Sequence, residues 1–315
     1  MAEPTAGALP SVAFVGLGNM GFPMVSRLVS AGYDVHGFDV SPDAVERLEG
    51  IGASGAASAA AAAADAGVII LMLPNSAIVQ SVVDDLLAAD AVAGSVIVDM
   101  SSSEPLATRA LAARLADFDI ALVDAPVSGG VTGAVNGTLT IMVGGDDAAV
   151  EQVLPIVSEL GKPVRTGSVG SGHAIKALNN LLSATHLWAT SEAMETGVAF
   201  GLDPEVMLAV FNTSSGRSGS TQNKWPNFVL PGSYDSGFGL ALMLKDMKIA
   251  LGLADSTHAP HALSSRAVEL WSTAAAELPP GADHTEVARW VAAMGSGERA
   301  GYAAPRPWGG ADADA

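Results

Sequence analysis

The first half of the chain alternates short runs of β-branched and other apolar residues with longer amphipathic stretches. Runs at 11–15, 34–39, 68–73, 95–100, 121–124 and 138–143 predict strands. Between them lie helix-period stretches, among them 22–30, one opening near Pro42, and an alanine-rich segment at 56–66 that reads as a helix former. Strands alternating with helices in this way predict a doubly wound α/β sheet. Past Gly172 the alternation gives way to helical periodicity alone, over 174–200, 204–213, 241–255, 261–276 and 283–294. The pattern therefore divides the chain into an α/β domain at 11–172 and an all-helical domain at 173–296. A Gly/Ala/Pro/Asp-rich tail, 297–315, is expected to be disordered.

The long stretch at 174–200 holds no proline and joins the two parts. Lys176, Asn179 and Asn180 fall at i, i+3 and i+4 near its start and so share a face. A cation and two amides on an otherwise apolar helix cost free energy unless polar groups meet them. Either a substrate supplies those groups, or the lysine snorkels at a helix end beside capping amides. A helix this long in a small helical domain also suggests that a second subunit covers part of it, giving a homodimer or homotetramer.

Composition narrows the field. The chain has 315 residues, no cysteine and a formal charge of -18. Disulfides, thiolate metal sites and a cysteine nucleophile are excluded, and the field repels nucleic acid and anionic membrane. His258 and His261 are three apart but straddle Pro260, and none of the six histidines sits at metal-ligand spacing with another ligand, so no metal is expected; His173, three before Lys176, is a candidate supporting residue. The apolar runs are too short or too interrupted to span a bilayer, and the opening residues resemble no signal or transit peptide. A cytoplasmic protein is expected.

Gly16-Leu17-Gly18-Asn19-Met20-Gly21 joins the first strand to the first helix. Its glycine spacing is the dinucleotide-binding fingerprint, in which backbone N–H groups meet pyrophosphate without help from lysine. Asp39 closes the second strand where an acid bonds the adenosine ribose, or else caps the helix near Pro42. Val40 and Ser41 offer no arginine for a 2′-phosphate, which favours NAD over NADP. Leu73, Pro74 and Ser101 follow strand ends and are candidate cofactor contacts. Ser128-Gly129-Gly130 offers a hydroxyl and bare N–H groups to a carboxylate. Arg217 presents a planar fork from a loop, and Lys245 either reaches the cofactor or pairs with an acid.

Four segments in order, Gly16–Gly21, Asp124–Gly130, Gly172–Asn180 and Lys245-Asp246, resemble the motifs of the β-hydroxyacid dehydrogenases, which include the 3-hydroxyisobutyrate dehydrogenases. The resemblance runs from about residue 11 to 294. It implies a Rossmann domain joined to an all-helical domain by a long helix, and hydride transfer between NAD and a small 3-hydroxy acid or its semialdehyde. By the same resemblance Lys176 is the catalytic proton donor and acceptor, and Asn180 orients the substrate with Asn179 beside it. Ser128, Gly129 and Gly130 would hold the carboxylate with Arg217 near, and Lys245 would lie beside the nicotinamide. The 218–223 stretch departs from the family's aromatic-containing loop. An imine reductase and a cofactor-binding protein without turnover are the alternative readings; lysine at position 176 weighs against the first.

Overall fold

The computed structural model describes residues 9–92 and 94–295, so the tail expected at 297–315 lies outside the described residues. The chain divides into two compact units, Met1–Lys176 and Ala177–Ala315.

In the first unit the order is β1 (Val12–Val15), α1 (Gly21–Ser30), β2 (Val35–Phe38), α2 (Pro42–Glu46), β3 (Ser54–Gly55), α3 (Ala59–Ala63), β4 (Val68–Leu71), α4 (Ser76–Ala88) and β5 (Val96–Asp99). There follow α5 (Pro105–Ala116), β6 (Ala121–Asp124), β7 (Val127–Ser128), α6 (Gly130–Asn136), β8 (Leu139–Gly144), α7 (Asp147–Ser158) and β9 (Gly161–Gly167). The sheet runs β3-β2-β1-β4-β5-β6 with every pairing parallel. Leaving β1, the chain builds first toward β3 and then from β4 toward β6. The direction reverses between β1 and β4, where doubly wound sheets open a crevice at their carboxyl ends.

The far side is mixed rather than wholly parallel. β8 is antiparallel both to the end of β6 and to β7, while β9 pairs its other edge in parallel. Ala125 and Pro126 interrupt what would be one strand, yet Met142 N–H still reaches the Pro126 carbonyl at 3.0 Å. The sequence pattern misses β3, β7 and β9. The first two are only two residues long, and β9 is largely exposed, so none shows an apolar run. The alanine-rich segment forms a shorter helix than expected, α3, which starts where Ser58 accepts from Ala61 N–H.

Side chains alternate faces along each central strand. Val12, Phe14, Val68, Ile70, Val96, Val98 and Val123 pack in one core, whereas Ala13, Val15, Ile69, Leu71, Ile97 and Leu122 pack in the other. Both faces are covered, so these strands read as continuous apolar runs up to Asp99 and Asp124, which end β5 and β6.

The second unit is helical. Helix α8 (Ser171–Ala199) enters it and is followed by α9 (Pro204–Thr213), a π-helix at Ser220–Val229, α10 (Leu240–Thr257), α11 (Ala262–Glu277) and α12 (Glu286–Gly295). Its core is rich in tryptophan and methionine, with the Trp188 ring centroid 5.6 Å from Trp290 and 6.4 Å from Trp271. The π-helix, read from sequence as a loop, carries Pro226 in its interior. Proline has no N–H and clashes with the carbonyl four residues back in an α-helix, so the wider i→i+5 winding fits it better. Leu230 N–H accordingly reaches Trp225 O at 2.9 Å.

Candidate active site

The glycine turn after β1 is built from steric necessity. Gly16 has φ +100°, and a Cβ there would lie 2.2 Å from the Met72 carbonyl oxygen just beyond β4. A Cβ on Gly21 would lie 1.9 Å from Gly16 O, so the helix can pack on the turn only without one. Gly18 differs: a Cβ there would meet nothing within 4 Å, and the position is exposed. The fold itself does not demand that glycine. A bare backbone at this position suits the close approach of a ligand's phosphates.

Asp39 fixes the same turn. One carboxylate oxygen accepts Leu17 N–H at 2.7 Å and the other accepts Ser41 N–H at 2.9 Å, leaving lone pairs for ribose hydroxyls. Asn19 is exposed and Met20 half-buried at the start of α1. An arginine that the residues beside Asp39 did not reveal enters from the end of α2. The Arg47 guanidinium lies 4.5 Å from the Phe22 ring centroid, with Nη2 3.4 Å from Leu17 O. Across the crevice, Ser101 is buried; its hydroxyl accepts Leu73 N–H at 2.9 Å and so holds the turn that carries Pro74.

The start of α8 is anchored on buried carboxylates. Asp124, fully buried at the end of β6, accepts Gly170 N–H at 2.6 Å and His173 N–H at 2.9 Å. Burial pushes the Asp124 carboxyl up from its usual range, while His173 and these N–H donors pull the other way. Gly172 admits the approach, since a Cβ there would lie 2.1 Å from Met142 O. The buried His173 ring bonds Thr108 Oγ1 through Nδ1 at 2.8 Å and Ser101 O through Nε2 at 3.1 Å, and Nε2 lies 3.7 Å from Asp99. Asp99 in turn accepts Ser101 N–H and Ser103 Oγ–H. The supporting part given to His173 thus has a physical form: it ties the first turn of α8 to the ends of β5 and β6. Asp99 and Asp124 in that role were not legible, because an acid at a strand end looks like any loop acid.

One turn further on, Lys176 is itself buried. Asn180 is also buried, and its amide donates to Asp246 Oδ2 at 2.6 Å. Asn179 is exposed and donates to Asn180 Oδ1 at 3.2 Å. Lys245 Nζ lies 3.3 Å from Asp246 Oδ1, which makes its pairing with an acid an observed fact. Ser128 and Gly130 are half-buried and Gly129 exposed; Gly129 and Gly130 have φ +133° and +62°, which a side chain would strain. Arg217 is exposed on the loop before the π-helix.

A glycine turn after β1, an acid at the end of β2 and a strand order that reverses between β1 and β4 are the features of the Rossmann class of NAD-binding oxidoreductases. Residues 11–170 match the family model described as the NAD binding domain of 6-phosphogluconate dehydrogenase, and residues 170–291 match that described as NAD-binding of NADP-dependent 3-hydroxyisobutyrate dehydrogenase. The chain belongs to the β-hydroxyacid dehydrogenase family. It is 38% identical to 2-(hydroxymethyl)glutarate dehydrogenase of Eubacterium barkeri, over 82% of this chain and 87% of that protein. It is 38% identical to the NAD-dependent L-serine dehydrogenase of Pseudomonas aeruginosa, over 84% and 91%. The solved structure of Mycobacterium tuberculosis 3-hydroxyisobutyrate dehydrogenase with L-serine matches with a TM-score of 0.85 at 32% identity, covering 90% of this chain and 99% of that one.

Proposed function

We propose that the chain is an NAD-dependent dehydrogenase and reductase of small 3-hydroxy acids and their semialdehydes. The observation that carries this is a buried lysine and a buried asparagine four residues apart on α8, following an NAD-binding domain. The nicotinamide, when bound, takes or returns the hydride. The protein's own task is to move a proton at the carbinol oxygen and to hold the substrate still. Lys176 takes the hydroxyl proton in oxidation and returns it to the carbonyl oxygen in reduction. Asn180, held by Asp246, orients that oxygen. Ser128 with the Gly129 and Gly130 N–H groups holds the carboxylate, with Asn179 and Arg217 at the periphery and Lys245 toward the nicotinamide. Gly16, Leu17, Gly18, Asn19, Met20, Gly21, Asp39, Leu73, Pro74 and Ser101 form or support the cofactor cleft.

In this reading residues 11–172 bind the cofactor, and residues 173–296 supply the substrate face and a dimer contact. Leu178 and Leu182 on α8, and Val206 and Val210 on α9, are exposed at i, i+4 spacing, and a second copy covering them gives a homodimer or homotetramer. Among the described residues no helix is long and apolar enough to cross a membrane, and we place the activity in the cytoplasm.

The test is a panel of 3-hydroxy acids with NAD, followed by absorbance of the reduced cofactor. Lys176→Ala is expected to lower kcat by about 10²–10⁴-fold while NAD still binds. Undiminished turnover in that variant would overturn the proton-transfer role.

A further inference from the structure

Lys224 is a cation that the reaction just described does not use. It lies on the π-helix, two residues before Pro226. Its ammonium donates to Ser183 Oγ at 2.6 Å and lies 3.5 Å from Ser183 O. Ser183 is on α8, three residues after Asn180 and seven after Lys176, so the three share one helix face. Seven residues span roughly 10 Å along the axis. Lys224 therefore reaches the face that carries Lys176 and Asn180, about two turns farther along.

Among the described residues Lys224 makes no ion pair with a carboxylate, in a chain with 33 acidic and only 15 basic residues. Asp283 acts on it electrostatically, but that carboxylate is already engaged. It accepts from Ser236 Oγ, Gly237 N, Phe238 N, Thr285 N and Thr285 Oγ1. His284, the other titratable group coupled to Lys224, is kept toward its neutral form by burial. Burial pulls the Lys224 ammonium down to about 8. The side chain is only half-buried, which leaves it open to a ligand. A cation in a partly dry position, without an ion-paired carboxylate among the described residues, is further stabilised by an incoming anion.

We infer that Lys224 binds a second carboxylate of the substrate, remote from the reacting hydroxyl, so that the preferred substrate is a 3-hydroxy acid with a carboxylate-bearing side arm. This inference rests on the dehydrogenase reading for its reacting end only. Ser183 positions the ammonium, and the side arm lies along α8 from Asn180 toward Lys224.

Two acids with the same reacting end separate the terms: 3-hydroxyisobutyrate, whose arm is a methyl group, and 2-(hydroxymethyl)glutarate, whose arm ends in a carboxylate. The wild type should favour the second in kcat/KM. Lys224→Met should cut that preference by about 10- to 100-fold, mainly through KM, and Lys224→Arg should restore part of it. The preference should also decline as the pH rises through about 8, where Lys224 loses its proton, and Lys224→Met should lack that limb. An unchanged ratio in Lys224→Met overturns the inference. If neither acid is turned over, the dehydrogenase reading has failed, and calorimetric binding of glutarate against butyrate to the NADH-loaded protein still decides the matter. Glutarate should bind more tightly to the wild type and lose that advantage in Lys224→Met; equal binding of the two to the wild type overturns the inference.

Discussion

The Asn180 amide donates to Asp246 at 2.6 Å, and the opposite oxygen of the same carboxylate lies 3.3 Å from Lys245 Nζ. A carboxylate only accepts, so the Asn180 NH₂ faces Asp246 and the orientation of its amide is fixed. Asp246 therefore sets the angle at which Asn180 presents itself and also neutralises Lys245. Asp246→Asn should lower kcat by about 10- to 100-fold, with NAD affinity almost unaltered. Asp246→Ala should in addition destabilise the protein by about 1–3 kcal/mol, because the buried Asn180 amide loses its acceptor. Steady-state kinetics and thermal denaturation read the two effects separately, and full turnover in Asp246→Asn would remove Asp246 from the site.

The three glycines after β1 should not behave alike. Gly21→Ala drives a Cβ into Gly16 O and should cost about 1–3 kcal/mol of stability, visible as a lower Tm. Gly18→Ala meets no neighbour and should leave Tm unchanged, while weakening NAD by about tenfold or more. If Gly18→Ala binds NAD normally, the phosphates lie elsewhere.

On the proposed function, Asp39 is expected to set the choice of cofactor, with Arg47 beside the same turn. Asp39→Ala leaves Leu17 N–H and Ser41 N–H without their acceptor and, on the proposed function, removes the group expected to meet the ribose. NAD affinity should fall by about 10- to 100-fold. NADP should lose far less, since a repelling carboxylate is gone and Arg47 stands by the same turn. Fluorescence titration with both reduced cofactors measures the ratio, and equal losses would separate Asp39 from the ribose.

The helical unit should be acid-sensitive. His284 has its folded value lowered below 6.5 by burial, and its buried Nε2 has no hydrogen-bond partner among the described residues. Asp283 is held well below the usual carboxylate range, its hydrogen bonds from His284 and Thr285 outweighing the opposing effect of burial. In both cases the unfolded chain binds more protons than the folded one, so stability is lost as pH falls. Tm should decline below about pH 6.5 and more steeply below about 3.8. His284→Gln should flatten the first decline. Lys224 acts at the other end: its lowered value means that stability should rise between about pH 8 and 10.5, a rise absent in Lys224→Met. Thermal melts across the range check all three signs.

Much of this protein is written locally. The strands β1, β4 and β5 are apolar runs because both faces of the sheet are covered, and helix α9 begins and ends at the residues its periodicity predicted. The glycine turn and the Lys176–Asn180 face follow from spacing alone, since close backbone approach and helical repeat are local demands.

Other features depended on distant residues meeting. Nothing near Asp124 shows that it holds the first turn of α8, 46 to 49 positions later. Nothing around Lys224 shows that it reaches Ser183, because the π-helix that turns it there has no apolar period of its own and takes its form around Pro226. Arg47 comes beside Leu17 only when α2 folds back over the turn. The sequence by itself determined the elements and the chemistry carried by each, since hydrophobic period and backbone sterics act over a few residues. Which buried charges face one another was decided by tertiary structure alone, because the energy of a charge in a dry interior depends on neighbours that only packing brings together.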